Sequence, residues 1–111
     1  MNPYVQKMIL RIMEAESRWQ DKSRDRTDRV WWGARRTQLA LRLFNRERIV
    51  AFGHMEVETW WDRECRSYVT VMRKDGIQVG GSEYWYNRED AALTHWGYVQ
   101  VMARGGETPD G

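Results

Sequence analysis

The chain holds a single cysteine, Cys65, so no intrachain disulfide can form and a zinc site built on several cysteines is excluded. No uninterrupted apolar run approaches the ~20 residues that a membrane-spanning helix requires, and the N-terminus has no apolar leader core. No membrane partner is expected, and the expected location is the cytoplasm. Neither a lysine-containing phosphate loop nor a dinucleotide fingerprint follows any expected strand, since Asp75-Gly76 and Gly80-Gly81 read as hairpin glycines. No cofactor is expected. Internal repeats and low-complexity blocks are absent, and lysine is scarce, with fifteen of the 18 basic residues being arginine.

What is present is a globular composition: 111 residues, 41% hydrophobic, 31% charged, with seven Trp and five Tyr. That length supports one core and no second independent one. The reading is a single α+β domain over residues 1–103, followed by a frayed tail over 104–111 that has glycines, Pro109 and no apolar anchor. The net charge of +2 hides an asymmetry. Residues 1–48 hold twelve basic residues against six acids, and residues 49–111 hold six against ten. A basic side and an acidic side are implied, which steers association and makes a homodimer possible.

Asn2 and Pro3 suit a helix start, and Val5, Met8, Ile9, Ile12, Ala15 and Trp19 recur at spacings of three and four, a single apolar stripe that leaves Leu10 outside. Residues 28–48 fit two patterns, and Gly33 interrupts both. A second helix from about Ala34 to Arg46 is expected from the good helix formers there. From Ile49 the period becomes two. Ile49, Ala51, Met55, Val57 and Trp61 alternate with His54, Glu56 and Glu58 as one strand, Asp62-Arg63-Glu64 turns, and a second strand covers Cys65 to Lys74. Asp75-Gly76 is a two-residue hairpin signal, and Ile77 to Tyr86 return as a third strand with a bulge at Gly80-Gly81. Asn87, Glu89 and Asp90 open a last helix that buries Ala92, Trp96, Val99 and Ala103, with Gly97 allowing close packing on the sheet. The expected order is helix, second helix, three-stranded antiparallel meander, C-terminal helix.

Chemistry-bearing groups are few. Cys65 with His54 or His95 would make a thiolate–imidazole pair, and His54, Glu56 and Glu58 share a strand face as an acid–base pair or metal set would. No spacing signature joins either set, and Cys65 fits a small buried hydrophobe, so no catalytic or metal-ligating residue is assigned and the chain is read as non-enzymatic. Lys22 to Arg48 is more pointed, with nine basic residues against three acids and Trp31, Trp32 and Phe44 interleaved. Arginine with aromatics suits protein hot spots, and it also suits phosphate tracking with base stacking. Trp60 and Trp61, adjacent on a strand, must point to opposite faces. With one covered face, Trp60, Tyr68 and Trp85 would form an open aromatic patch beside Glu56 and Glu58.

Residues Tyr68 to Ala92, YVTVMRKDGIQVGGSEYWYNREDAA, form a strand, Asp-Gly turn, strand and helix. The segment resembles the sheet-plus-helix modules of small phage and mobile-element proteins, such as the arm-binding domains of phage integrases, which lay a three-stranded sheet on DNA. Glu56, Glu58 and Glu83 depart from the basic sheet usual there. In general character the chain is similar to small phage-encoded inhibitors of bacterial defence, the anti-CRISPR proteins among them. That resemblance implies a protein-binding accessory factor or inhibitor whose partner is a host protein or protein–nucleic-acid complex, for instance of a CRISPR-Cas system. The anchors expected for docking are Trp31, Trp32, Arg35, Arg36, Glu56, Glu58, Trp60 and Tyr68. The alternative is DNA or RNA binding through Arg35, Arg36, Arg42, Arg46 and Arg48.

Overall fold

A computed structural model describes residues 2–104. Helix α1 spans Pro3–Gln20. The Asn2 side chain accepts from the Tyr4 amide at 2.8 Å, and the stripe Val5, Met8, Ile9, Ile12, Ala15 is buried as its spacing dictates, with Leu10 exposed. Helix α2 spans Arg26–Arg46, eight residues longer at its start than the composition of 34–46 suggests. Its cap is Asp25, which accepts from the Asp28 amide at 3.0 Å. The helix runs straight through Gly33 because that glycine serves packing: a Cβ there would lie 2.8 Å from Cδ1 of Trp19. The Trp19 indole therefore lies directly on the α2 backbone and locks the α1–α2 hairpin.

The sheet has four antiparallel strands in sequence order, β1 (Ile49–Phe52), β2 (Met55–Asp62), β3 (Ser67–Lys74) and β4 (Ile77–Trp85). The single strand expected over residues 49–61 is instead a hairpin. Gly53, with φ +58°, is the first residue of its two-residue turn, and Phe52 pairs with Met55. The turn expected at Asp62-Arg63-Glu64 occupies residues 63–66, so Asp62 still belongs to β2 and β3 begins at Ser67, not at Cys65. Asp75 (φ +52°) and Gly76 (φ +80°) make the expected hairpin turn. The bulge is also where the glycines suggest. Thr70 pairs with Glu83 and Met72 with Val79, so three residues of β4 oppose Val71, and Gly80 has φ +76°.

Helix α3 spans Arg88–Ala103, with the Asn87 side chain accepting from the Asp90 amide at 2.7 Å. Its buried residues are Ala91, Ala92, His95, Trp96, Val99 and Met102, while Ala103 is exposed. Gly97 has no packing reason, since a Cβ there would meet nothing within 4 Å. Arg104 closes α3 by donating its amide to the Gln100 carbonyl, and the rest of the expected tail lies outside the described residues.

The fold is two layers. Val50, Val57 and Met72 of the sheet join Ile12, Leu39, Leu43, Trp96 and Val99 of all three helices in one apolar cluster. Glu16 of α1 ties the helices together, accepting from Trp96 Nε1 at 2.7 Å and from Gln100 Nε2, with Arg36 of α2 at 3.7 Å. Among the described residues, no helix is long and apolar enough to cross a membrane.

Candidate interaction surface

Strand pairing decides what each sheet face carries. Val57 pairs with Val50 and Met72, Thr59 with Thr70, and Trp61 with Tyr68, so all of these point to the helix layer. Glu56 pairs with Arg73, Glu58 with Ile49 and Val71, Trp60 with Val69, and Val69 in turn with Tyr84, so these point the other way. No described helix covers that second face. Val69 and Val71 are nonetheless 4% and 3% exposed. They belong to neither apolar cluster; the residues paired with them on the same face are Trp60, Glu58 and Tyr84, long side chains of the kind that can cover a valine within one face. Ile49 and Tyr84 are more than half exposed at the margins.

Beside this apolar centre lies an ion cluster. Arg73 Nη1 donates to Glu58 at 2.7 Å and to Glu56 at 3.2 Å. The Glu58 hydrogen bond, against some burial, holds the guanidinium more firmly charged than usual, with Glu56 adding to it. The arrangement binds a guanidinium and has no acid–base pair in it. His54 sits apart in the β1–β2 turn, facing Asp75 at 3.2 Å. Among the described residues, no three of His, Cys, Asp or Glu converge as a metal site requires.

The expected aromatic patch is corrected in two members and gains another. Trp60 is on the open face with Glu56 and Glu58, but Tyr68 and Trp85 are on the helix side. There Tyr68 meets Phe44 edge-on at 5.7 Å and Trp61 at 5.0 Å. The reason is register: Asp62 pairs with Ser67, which sets Tyr68 opposite Trp61 and not Trp60. Tyr84 takes the vacated place.

The arginines are divided in a way their spacing does not reveal. Arg36 stacks on Trp19 at 4.3 Å, and Arg48 stacks on Phe44 at 4.2 Å beside Tyr68. Both are half-buried as well as stacked, so the fold engages them and they leave the list of free anchors. Arg35 is half-buried, and Arg42 and Arg46 are exposed, Arg46 lying over Tyr4 at 4.1 Å. Trp31 is 58% exposed and stands edge-on to Trp32 at 4.8 Å, whereas Trp32 packs against the core under Arg18.

Cys65 lies exposed in the β2–β3 turn, not in the interior as a small hydrophobe would. His95 is fully enclosed, so the two do not form a nucleophile–base pair. His95 Nε2 donates to the Glu47 carbonyl at 2.9 Å, Nδ1 is 2.7 Å from Thr59 Oγ1, and Thr59 is 2.8 Å from Thr70 Oγ1. Burial pulls the imidazole from its usual 6.5 down to about 4; the Glu47 carbonyl opposes this and Arg48 reinforces it. His95 is thus a neutral structural link between α3, the sheet centre and the α2–β1 junction. The sequence signal for it was weak, a lone histidine one residue before a core tryptophan. Comparison with protein-family models, with curated proteins and with solved structures finds no match to this chain.

Proposed function

We propose that this chain is a non-enzymatic binding protein that docks on a host protein through the uncovered face of its sheet, in the manner of a small phage-type accessory or inhibitor protein. One observation carries the reading: Val69 and Val71 sit at the centre of a face that no described helix covers, with Trp60, Tyr84 and Ile49 around them and Glu56, Glu58 and Arg73 at one side. An apolar centre with aromatic anchors and a charged margin is the composition of a protein interface. Mixed charge at the margin favours a protein over a polyanion, since two carboxylates repel phosphates and also accept basic side chains. The phage character and the bacterial class of host protein rest on the sequence resemblance.

The test is affinity capture from a bacterial lysate, with and without nuclease, using wild type and the Trp60→Ala/Tyr84→Ala variant. The expected outcome is a specific protein that survives nuclease and is lost with the variant. Capture that vanishes on nuclease treatment, or that the variant leaves intact, overturns the reading.

A further inference from the structure

A second surface, on the outer side of the α1–α2 hairpin, has a different chemistry. From Arg29 to Arg46 the chain contains five arginines and no carboxylate. Two of the five serve the interior, Arg29 donating to the Trp19 carbonyl and Arg36 stacking on the Trp19 ring. Arg35, Arg42 and Arg46, at spacings of seven and four, share one side of α2. Stacking of Arg46 on Tyr4 and of Arg18 on Trp32 pins the two helices antiparallel at both ends. Lys7 and Arg11 lie on the same side of α1 as Tyr4 and Arg18, at spacings of three, four and seven, and both are exposed. One face therefore gathers Lys7, Arg11, Arg35, Arg42 and Arg46, while Arg18 is held by Trp32 and Glu14. Its carboxylates are already engaged: Glu14 pairs with Arg18 at 2.7 Å, Asp28 with Arg24 at 2.9 Å, and Glu47 accepts from Asn2 at 3.0 Å. At one end stands Trp31, one turn before Arg35, its ring propped edge-on by Trp32.

We propose that this hairpin face binds single-stranded nucleic acid irrespective of its sugar, with the cations tracking phosphates and Trp31 stacking on an unpaired base. Charge complementarity selects a polyanion. The exposed indole selects a strand whose base faces are free, which a duplex conceals. The surface is separate from the sheet face, so either proposal can fail without the other.

Fluorescence anisotropy with labelled thymidine and uridine oligonucleotides of about 15 nucleotides tests it, read between roughly 50 and 200 mM salt. Both oligonucleotides should bind within a few-fold of each other and more tightly than a duplex of equal length, with polyglutamate a poor competitor. Arg35→Ser with Arg42→Ser should flatten the log–log salt slope by about 1.4, at about 0.7 per phosphate on a single strand, while the paired lysine substitutions retain it. Trp31→Ala should weaken binding by about 5- to 150-fold and Trp31→Phe by much less. Trp60→Ala/Tyr84→Ala should bind as wild type, and a circular-dichroism melt establishes that each variant is folded. Absent binding, preference for duplex, binding of one sugar alone, or equal affinity for polyglutamate would overturn the proposal, as would a folded Trp31→Ala variant with unchanged affinity.

Discussion

The two faces of the sheet are built from the same strands and closed in opposite ways. On the helix side, Val57 and Met72 are packed by a second layer, and the polar pair Thr59 and Thr70 is admitted because His95 and each other satisfy their hydroxyls. On the open side, Val69 and Val71 are nearly as hidden from solvent as Val57 although no described helix lies over them, which leaves long neighbours on the same face to cover them. Low exposure thus has two meanings here. One is a close-packed interior between layers, and the other is a canopy of side chains laid along a single face, which the proposed docking would have to displace.

The sharpest way to break this contrast is His95→Ala. It opens a cavity and strands Thr59 and the Glu47 carbonyl in the covered layer, so a loss of about 3–5 kcal/mol is expected by chemical denaturation. The same residue has a pH signature. Its folded-state pKa is lowered, so its contribution is intact above about 6.5 and is lost as pH falls towards about 4, at up to about 1.4 kcal/mol per pH unit. The stability gap between wild type and His95→Phe should therefore move in favour of the variant across that window, and a constant gap would contradict the neutral, enclosed imidazole. Matched valines test the faces directly. Val57→Ala should cost about 2–3 kcal/mol, whereas Val71→Ala should cost about 1 or less because its canopy can settle. Equal losses would mean that the open face is packed like an interior. On α3, Gly97→Ala should gain about 0.8–1 kcal/mol in thermal or urea unfolding, because a methyl there meets nothing. The smallest effect belongs to the open face. Arg73→Met leaves Glu56 and Glu58 side by side and should cost about 0.5 kcal/mol, diminishing in salt.

Local signals carried much of this fold. The caps Asn2 and Asn87, the helical stripe of α1 and the Asp75-Gly76 turn are short-range features whose physics is complete within a few residues. What escaped required long-range partners. Gly33 looks like an interruption until Trp19 is placed against it. Ile49, Ala51, Met55 and Val57 look like one alternating strand because all are odd-numbered. A two-residue turn at Gly53-His54 reverses that parity, so Val50, not Ile49, shares a face with Val57. The same dependence on register moved Tyr68 to the helix side and put Tyr84 on the same face as Trp60, across Val69. Trp60, Glu56 and Glu58 were legible as one face because they share a single strand. The engagement of Arg36 and Arg48 with aromatic rings was not legible, since nothing local distinguishes them from Arg35 and Arg42.

The chain of buried polar groups has a direction. A backbone carbonyl can only accept, so the Glu47 oxygen obliges His95 to keep its proton on Nε2. Nδ1 must then receive the Thr59 hydroxyl proton, and Thr59 must receive that of Thr70. A single peptide oxygen where α2 hands over to β1 thereby fixes the tautomer of the ring and the rotor state of two hydroxyls across neighbouring strands. Imidazole nitrogen resonances would report one tautomer, and local opening at that handover would show there as exchange between two.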